Sequence, residues 1–210
     1  MISLSEILHT IAQALMIPCL IILLVLMAGA VWQIGDIVVE YIAERRKHKC
    51  NVPQLLRDVH TAGADGLAEL IEDSGLLRRQ KKALLELADS RGLPKDTLTA
   101  LAERLLATEE ARNARTTSVT DMIAKLGPMF GLLGTLIPLG PGIVALGQGD
   151  TVTLSESMNV AFDTTIAGVI SAAVASVISH IRKRWYNDDM VSLETLMEAV
   201  LEEVTSDVEG

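Results

Sequence analysis

Apolar residues along this chain gather in three long runs, not in the short alternations of surface strands. Residues 10–35 and 126–149 contain no Asp, Glu, Lys or Arg, and each run exceeds the roughly 20 residues that cross ~30 Å of hydrocarbon. From Ser157 to Ile181 only Asp163 interrupts a third run. The pattern predicts an all-α integral membrane protein with three transmembrane helices, at about 10–35, 126–147 and 157–181. Ala28, Gly29 and Ala30 look like a signal-cleavage site. No Lys or Arg precedes the first run, however, and its apolar stretch outlasts an h-region of about 7–15 residues, so a retained helix is expected.

Between the first and second runs the polar positions take a helical period. Pro53 opens a short helix, Gly63 and Gly66 flank a break, and Leu76 to Ser90 alternates Leu with Arg, Lys and Glu. Arg91-Gly92-Leu93-Pro94 is a stop and restart signal, with Asp96 or Thr97 as the expected N-cap. Nothing then breaks the helix up to Lys125, which predicts one long helix running into the second span. After the third run, Leu193, Leu196, Met197, Val200, Leu201 and Val204 share one face of a helix. That face needs a partner, either the 50–120 segment or a second copy of the chain. The domain reading is a first transmembrane helix within 1–40, a cytosolic helical domain at 41–120, a second transmembrane helix at 121–147, an outer loop at 148–156, a third transmembrane helix at 157–181 and an acidic cytosolic C-terminal helix at 182–210.

Basic residues set the expected orientation. Arg45, Arg46, Lys47 and Lys49 follow the first span and Arg182, Lys183 and Arg184 follow the third, while the first ten residues and 148–156 have none. The N-terminus is therefore placed outside and the C-terminus inside. Trp32, Tyr41, Trp185 and Tyr186 fall near the same inner interface, where amphipathic rings settle. The net charge of −9 argues against a nucleic-acid partner, and from Trp185 to Gly210 there are eight carboxylates and no Lys or Arg. Cys19 and Cys50 fall on opposite sides of the inner interface, so no disulfide between them is expected.

The second span carries unusual chemistry for a helix in lipid. Met129 to Ile143 contains four glycines, two prolines and one threonine. Gly127, Gly131, Gly134, Thr135, Pro138 and Gly142 recur every three or four residues, a stripe that lets backbones approach closely where packing drives association. Ala161, Thr165, Gly168, Ala172, Ser176 and Ser179 make a similar stripe on the third span. Two readings stand side by side: the stripes pack against each other, or they surround a central space into which Thr135 and Thr165 present hydroxyls. Asp163 is the sharper anomaly, because a carboxylate in a span costs several kcal/mol and marks an ion path, a pairing site or a wet cavity. It points about 200° away from Thr165 around the helix, with Thr164 beside it. Ion handling, structural hydrogen bonding and a place near the outer headgroups all remain open for it.

GLLGT at 131–135, a short outer loop, AFDTTIAGVISA at 161–172 and a large segment between helices one and two together resemble the MotA/TolQ/ExbB proton channel family. Three helices with the N-terminus outside are similar to its TolQ and ExbB branch more than to the four-helix flagellar branch. The resemblance implies a ring of five copies in the cytoplasmic (inner) membrane around the helices of a smaller ExbD-, TolR- or MotB-like single-span partner. That partner supplies an ion-accepting aspartate, and flow of H⁺ or Na⁺ drives mechanical work in the cell envelope. On this resemblance Thr135 matches the pore-lining GT threonine and Thr165 the threonine three residues before the glycine of the next helix. Thr164 and Asp163 join them as candidate ion-path residues, with Gly127, Gly131, Gly134 and Gly168 as helix-packing residues. Val160 stands where ExbB-like chains tend to carry a glutamate, and Asp163 lies one helical turn further inward.

The alternative function is a non-conducting membrane scaffold or signalling protein, which tolerates Ala or Val at Thr135 and Thr165. An enzyme is not expected. His9, His48, His60 and His180 lack metal-ligand spacing, and HExxH, GxSxG and GxxxxGK[ST] are absent. No cofactor or metal is expected; the partners are lipid, further copies of the chain and the single-span protein.

Overall fold

The computed structural model describes residues 4–42 and 51–209. Arg45, Arg46, Lys47, His48, Lys49 and Cys50 lie outside the described residues, and with them four of the seven basic residues that set the expected orientation. Six helices run in order: α1 (Leu4–Ala14), α2 (Met16–Glu40), α3 (Val52–Asp73), α4 (Arg78–Asp89), α5 (Lys95–Gly147) and α6 (Thr151–Glu209). Among the described residues there is no strand. Three stretches are long and apolar enough to cross a membrane, within Glu6–Glu40, Lys95–Gly147 and Thr151–Ser206. The chain is an all-α membrane protein.

The first apolar run is broken where the hydropathy pattern is continuous. Pro18 has no N–H to donate and its ring crowds the carbonyl four residues back, at Ala14. The first helix ends at that residue, Leu15 is a turn, and α2 restarts at Met16. Pro128, Pro138 and Pro141, in contrast, lie inside α5 without ending it, since neighbouring helices and local adjustments can satisfy freed backbone groups in a bundle.

The chain divides into two compact units. The first takes the described residues up to Asp36 together with Thr117–Ile181. Here α2 packs on α5 and α6 through Leu26, Ala30, Ile123 and Ala175, with Ile22, Leu126, Phe130 and Val174 around them. A Cβ on Gly29 would touch the Ile123 side chain at 3.2 Å. Buried polar groups are paired: the Thr120 hydroxyl donates to Gln33 at 3.4 Å, and the Ser179 hydroxyl donates to Asp121. The Cys19 thiol donates to the Phe130 carbonyl at 3.4 Å. Hydroxyls satisfied in this way can be buried among apolar helices.

The second unit takes Ile37–Thr116 and Arg182–Gly210. Its core is built of Leu55, Val59, Leu67 and Ile71 of α3, Leu84 and Leu87 of α4, Leu98 of α5, and Leu193, Leu196, Met197, Val200 and Val204 of α6. The apolar face of the C-terminal helix thus finds its partner inside the chain. Gly63 breaks α3 with φ 65° and ψ 173°, a conformation that suits a residue without a Cβ; the break is at Gly63 itself, and Gly66 is helical. The start of α5 differs from expectation. Thr97 and Leu98 donate backbone bonds to the Pro94 carbonyl at 2.9 and 3.1 Å, so the helix begins before both expected caps. Asp96 sits in its first turn instead, where a carboxylate suits the dipole.

Near residue 182 the second unit holds a polar cluster that hydropathy does not reveal. Arg182, 1% exposed, meets the Glu40 carboxylate at 3.1 Å. Burial, the adjacent Glu40 charge and a hydrogen bond to Glu40 push the Tyr186 phenol up to about 12. Tyr41 and Trp185 stack with ring centroids 6.1 Å apart and planes 21° from parallel.

Candidate functional site

Helices α5 and α6 meet along a seam where side chains nearly vanish. A Cβ on Gly127 would stand 2.7 Å from the Gly168 carbonyl oxygen, and one on Gly168 would stand 2.5 Å from the Gly127 carbonyl oxygen and 2.8 Å from the Gly131 Cα. A Cβ on Gly134 would strike Thr164, with its Cβ at 2.6 Å and its hydroxyl at 2.7 Å. Further toward the connecting turn, a Cβ on Gly142 would meet Ser157 at 3.2 Å. All four glycines singled out from the sequence therefore lie at one backbone-to-backbone contact, where any larger residue meets main chain or a stiff β-branched side chain.

The turn itself is short. Of residues 148–156, expected as an outer loop, only Gln148–Asp150 lies outside a helix. Gly149 takes φ 74°, and Asp150 caps α6: its Oδ1 accepts from the backbone N–H groups of Val152 and Thr153, each at 3.1 Å, and its Oδ2 accepts from the Thr153 hydroxyl at 2.6 Å. These bonds, the Thr153 hydroxyl first, hold the Asp150 carboxyl below the ordinary carboxylate value. The cap begins α6 well before the charge-poor run does.

Thr164, 5% exposed, is the residue at the centre of the seam, and its hydroxyl donates back to the carbonyls of Val160 and Ala161, both at 2.9 Å. Thr165 and Thr135 are half-buried at its edge. The Thr165 hydroxyl donates to the Ala161 carbonyl at 3.0 Å and the Thr135 hydroxyl to the Leu132 carbonyl at 2.7 Å. Gly131 and Gly134 face the backbone of Thr165 and the side chain of Thr164, which brings Thr135, next to Gly134, to the level of Thr164 and Thr165. Helical rotation puts Thr135 and Thr165 on the same flank of this antiparallel pair. The third-span stripe is rotated slightly from the expected one: Thr164, Ser171 and Ala175 are buried in it and Ser176 is exposed.

Asp163 is not brought to the threonines. It is exposed, on the opposite flank of α6 from Thr165, and among the described residues it has no hydrogen-bond or ion-pair partner. Glu156, also exposed, lies two turns nearer the 148–150 turn on the same face. Sequence reading passed over Glu156, although its spacing of seven from Asp163 is the available signal. It also passed over Gln33, Asp121 and Glu40, whose pairing becomes visible only when the helices are together. Among the described residues no group of His, Cys, Asp and Glu is placed to hold a metal ion.

The model of the MotA/TolQ/ExbB proton channel family matches residues 69–195. That stretch covers the glycine seam, all four candidate ion-path residues and much of the second unit. No curated protein matches the chain.

Proposed function

Because the chain belongs to the MotA/TolQ/ExbB proton channel family, we propose that it is the ion-channel subunit of an ExbB-ExbD- or TolQ-TolR-like motor complex in the cytoplasmic membrane, coupling H⁺ or Na⁺ flow to mechanical work in the cell envelope. The observation that carries the reading is Asp163, an exposed carboxylate without a partner among the described residues, on a helix apolar enough to cross a membrane. A carboxylate turned to lipid is costly, so this face of α6 calls for water, a second copy or a partner helix against it. In this reading several copies, five by family resemblance, surround the single span of an ExbD-, TolR- or MotB-like partner. The N-terminus and the 148–150 turn lie outside and the second unit lies in the cytosol. Thr135, with Thr165 at its level, edges the ion path, and Thr164 keeps the seam closed.

The self-satisfied hydroxyls favour one competing reading, a scaffold that assembles without conducting. Ion flux into proteoliposomes separates the two. With the single-span partner co-reconstituted, an imposed pH or Na⁺ gradient drives flux in the wild type. Thr135→Val lowers it about tenfold, the equivalent of one lost polar contact, and the flux of Asp163→Asn decides whether that acid lies on the path or serves the contact of its own face. A well-formed complex that passes neither ion overturns the channel reading.

A further inference from the structure

The second unit exposes two stripes of opposite charge on different helices. On α5, Arg104, Thr108, Ala111 and Arg115 share one exposed face, and with Ala107 and Arg112 they line a shallow groove of about 600 Å³. Its floor is small side chains and its rim is arginine. Glu109 pairs with Arg112 at 3.9 Å, and Glu103 and Glu110 lie off the other edge. On α6, Asn187, Val191, Glu194, Glu198 and Glu202 are exposed at helical spacing, and Val191, 56% exposed, is an apolar residue set among carboxylates. Each stripe has what the other lacks.

Their heights correspond as well. Within the second unit, whose bounds on the two helices are Thr116 of α5 and Arg182 of α6, both helices have the same rise per residue. Arg104 stands as many residues before Thr116 as Glu194 stands after Arg182, and Ala107 and Val191 are likewise equidistant from those bounds. Copies related by an axis along the membrane normal keep the same depth, so features at equal depth are the ones that can meet. The match runs from Arg104 to about Arg112, near whose height Asp188 lies. It ends at Arg115, which falls level with Lys183 and Arg184.

We propose that the arginine-rimmed groove of α5 receives the acidic face of α6 from a second copy of this chain, with Val191 seated over Ala107 and Ala111 and Glu194 against Arg104. The two surfaces are different patches of one chain, so the contact is heterologous, the kind that builds a ring when the rotation between copies closes, and not a two-fold dimer. The inference rests on the reading of the chain as one of several copies in a channel, and adds to it which surfaces touch and in what register.

Cross-linking of the full-length protein in membranes tests it. In a Cys19→Ser, Cys50→Ser background, one tagged chain carries Arg104→Cys and a differently tagged chain carries Glu194→Cys. Oxidation is expected to join the two tags, whereas Arg104→Cys with Glu69→Cys does not cross-link. Separately, Arg104→Glu is expected to lower the oligomer fraction in native mass spectrometry about two- to fivefold, as for one exposed ion pair, and Glu194→Arg added to it restores assembly. Chains that assemble and conduct without the 104–194 cross-link and without rescue overturn this interface while leaving the channel reading intact. A cross-link from Arg104→Cys to a different protein overturns it too. The expected cross-link in a complex that passes no ion upholds the interface and sinks the channel.

Discussion

The two units of this chain bury opposite kinds of residue. In the first, the closest contacts run between Gly127, Gly131, Gly134, Thr164 and Gly168, while Leu132, Leu133, Leu136, Phe162, Ile166 and Val169 are exposed. In the second, Leu67, Leu84, Leu87, Leu98, Leu193 and Leu196 are buried, and charged residues cover the outside. The difference follows from the solvent each part meets. Against water, apolar area removed from solvent drives packing. Against lipid tails, which are as apolar as leucine, only close contact and hydrogen bonds between helices favour association. The contrast assigns the spans more directly than hydropathy does, because it reads which residues are turned away.

Changes that exchange the two kinds of packing break the contrast, and the largest effect is expected at the seam. Gly168→Leu drives a side chain into the Gly127 carbonyl and the Gly131 backbone, neither of which can yield; the cost exceeds the ~1–3 kcal/mol of ordinary overpacking. Loss of folded protein on detergent extraction checks it, and a well-folded Gly168→Leu protein would refute the seam as drawn. Next is the leucine core: Leu196→Ala lowers stability by about 3 kcal/mol, measured by denaturant unfolding, while Leu132→Ala changes it by less than about 0.5 kcal/mol.

Glu40→Gln follows. It removes the charge that compensates buried Arg182, at a cost of about 2 kcal/mol, reduced from the fully buried case because the Glu40 side chain is 16% exposed. The effect that vanishes near neutral pH is in Tyr186. Its pKa is raised from 10.0 to about 12 in the fold, so the neutral phenol is favoured there. The stability this gives is complete below pH 10 and falls as pH rises toward 12. Tyr186→Phe abolishes that dependence, and an ultraviolet titration of the phenol checks the value.

Much of the helix layout was legible along the chain, because charge-free runs longer than a membrane's thickness and 3.6-residue periodicity are local properties. The breaks at Gly63 and around Gly92 were legible for the same reason. The break at Leu15 was less so: Pro18 was visible, but whether a proline ends a helix depends on its surroundings, as Pro128, Pro138 and Pro141 demonstrate. The glycine and threonine stripes could be read as periodic sets. Which threonine faced the seam could not, since Thr164 and Thr165 differ by 100° of helical rotation and both spacings fit.

By itself, then, the sequence determined that three segments suit a bilayer, that the rest is helical and amphipathic, and that GLLGT and TTIAG carry a family likeness. Each of these depends on residues near one another in the chain. Only the tertiary structure decided that the C-terminal apolar face packs on the same chain's 52–106 segment, that Arg182 finds Glu40 across 142 positions, and that Thr164, not Thr165, is buried in the seam against Gly134. Those outcomes depend on which of several compatible faces meet. Contact energies between distant segments settle that choice, and no local pattern encodes it.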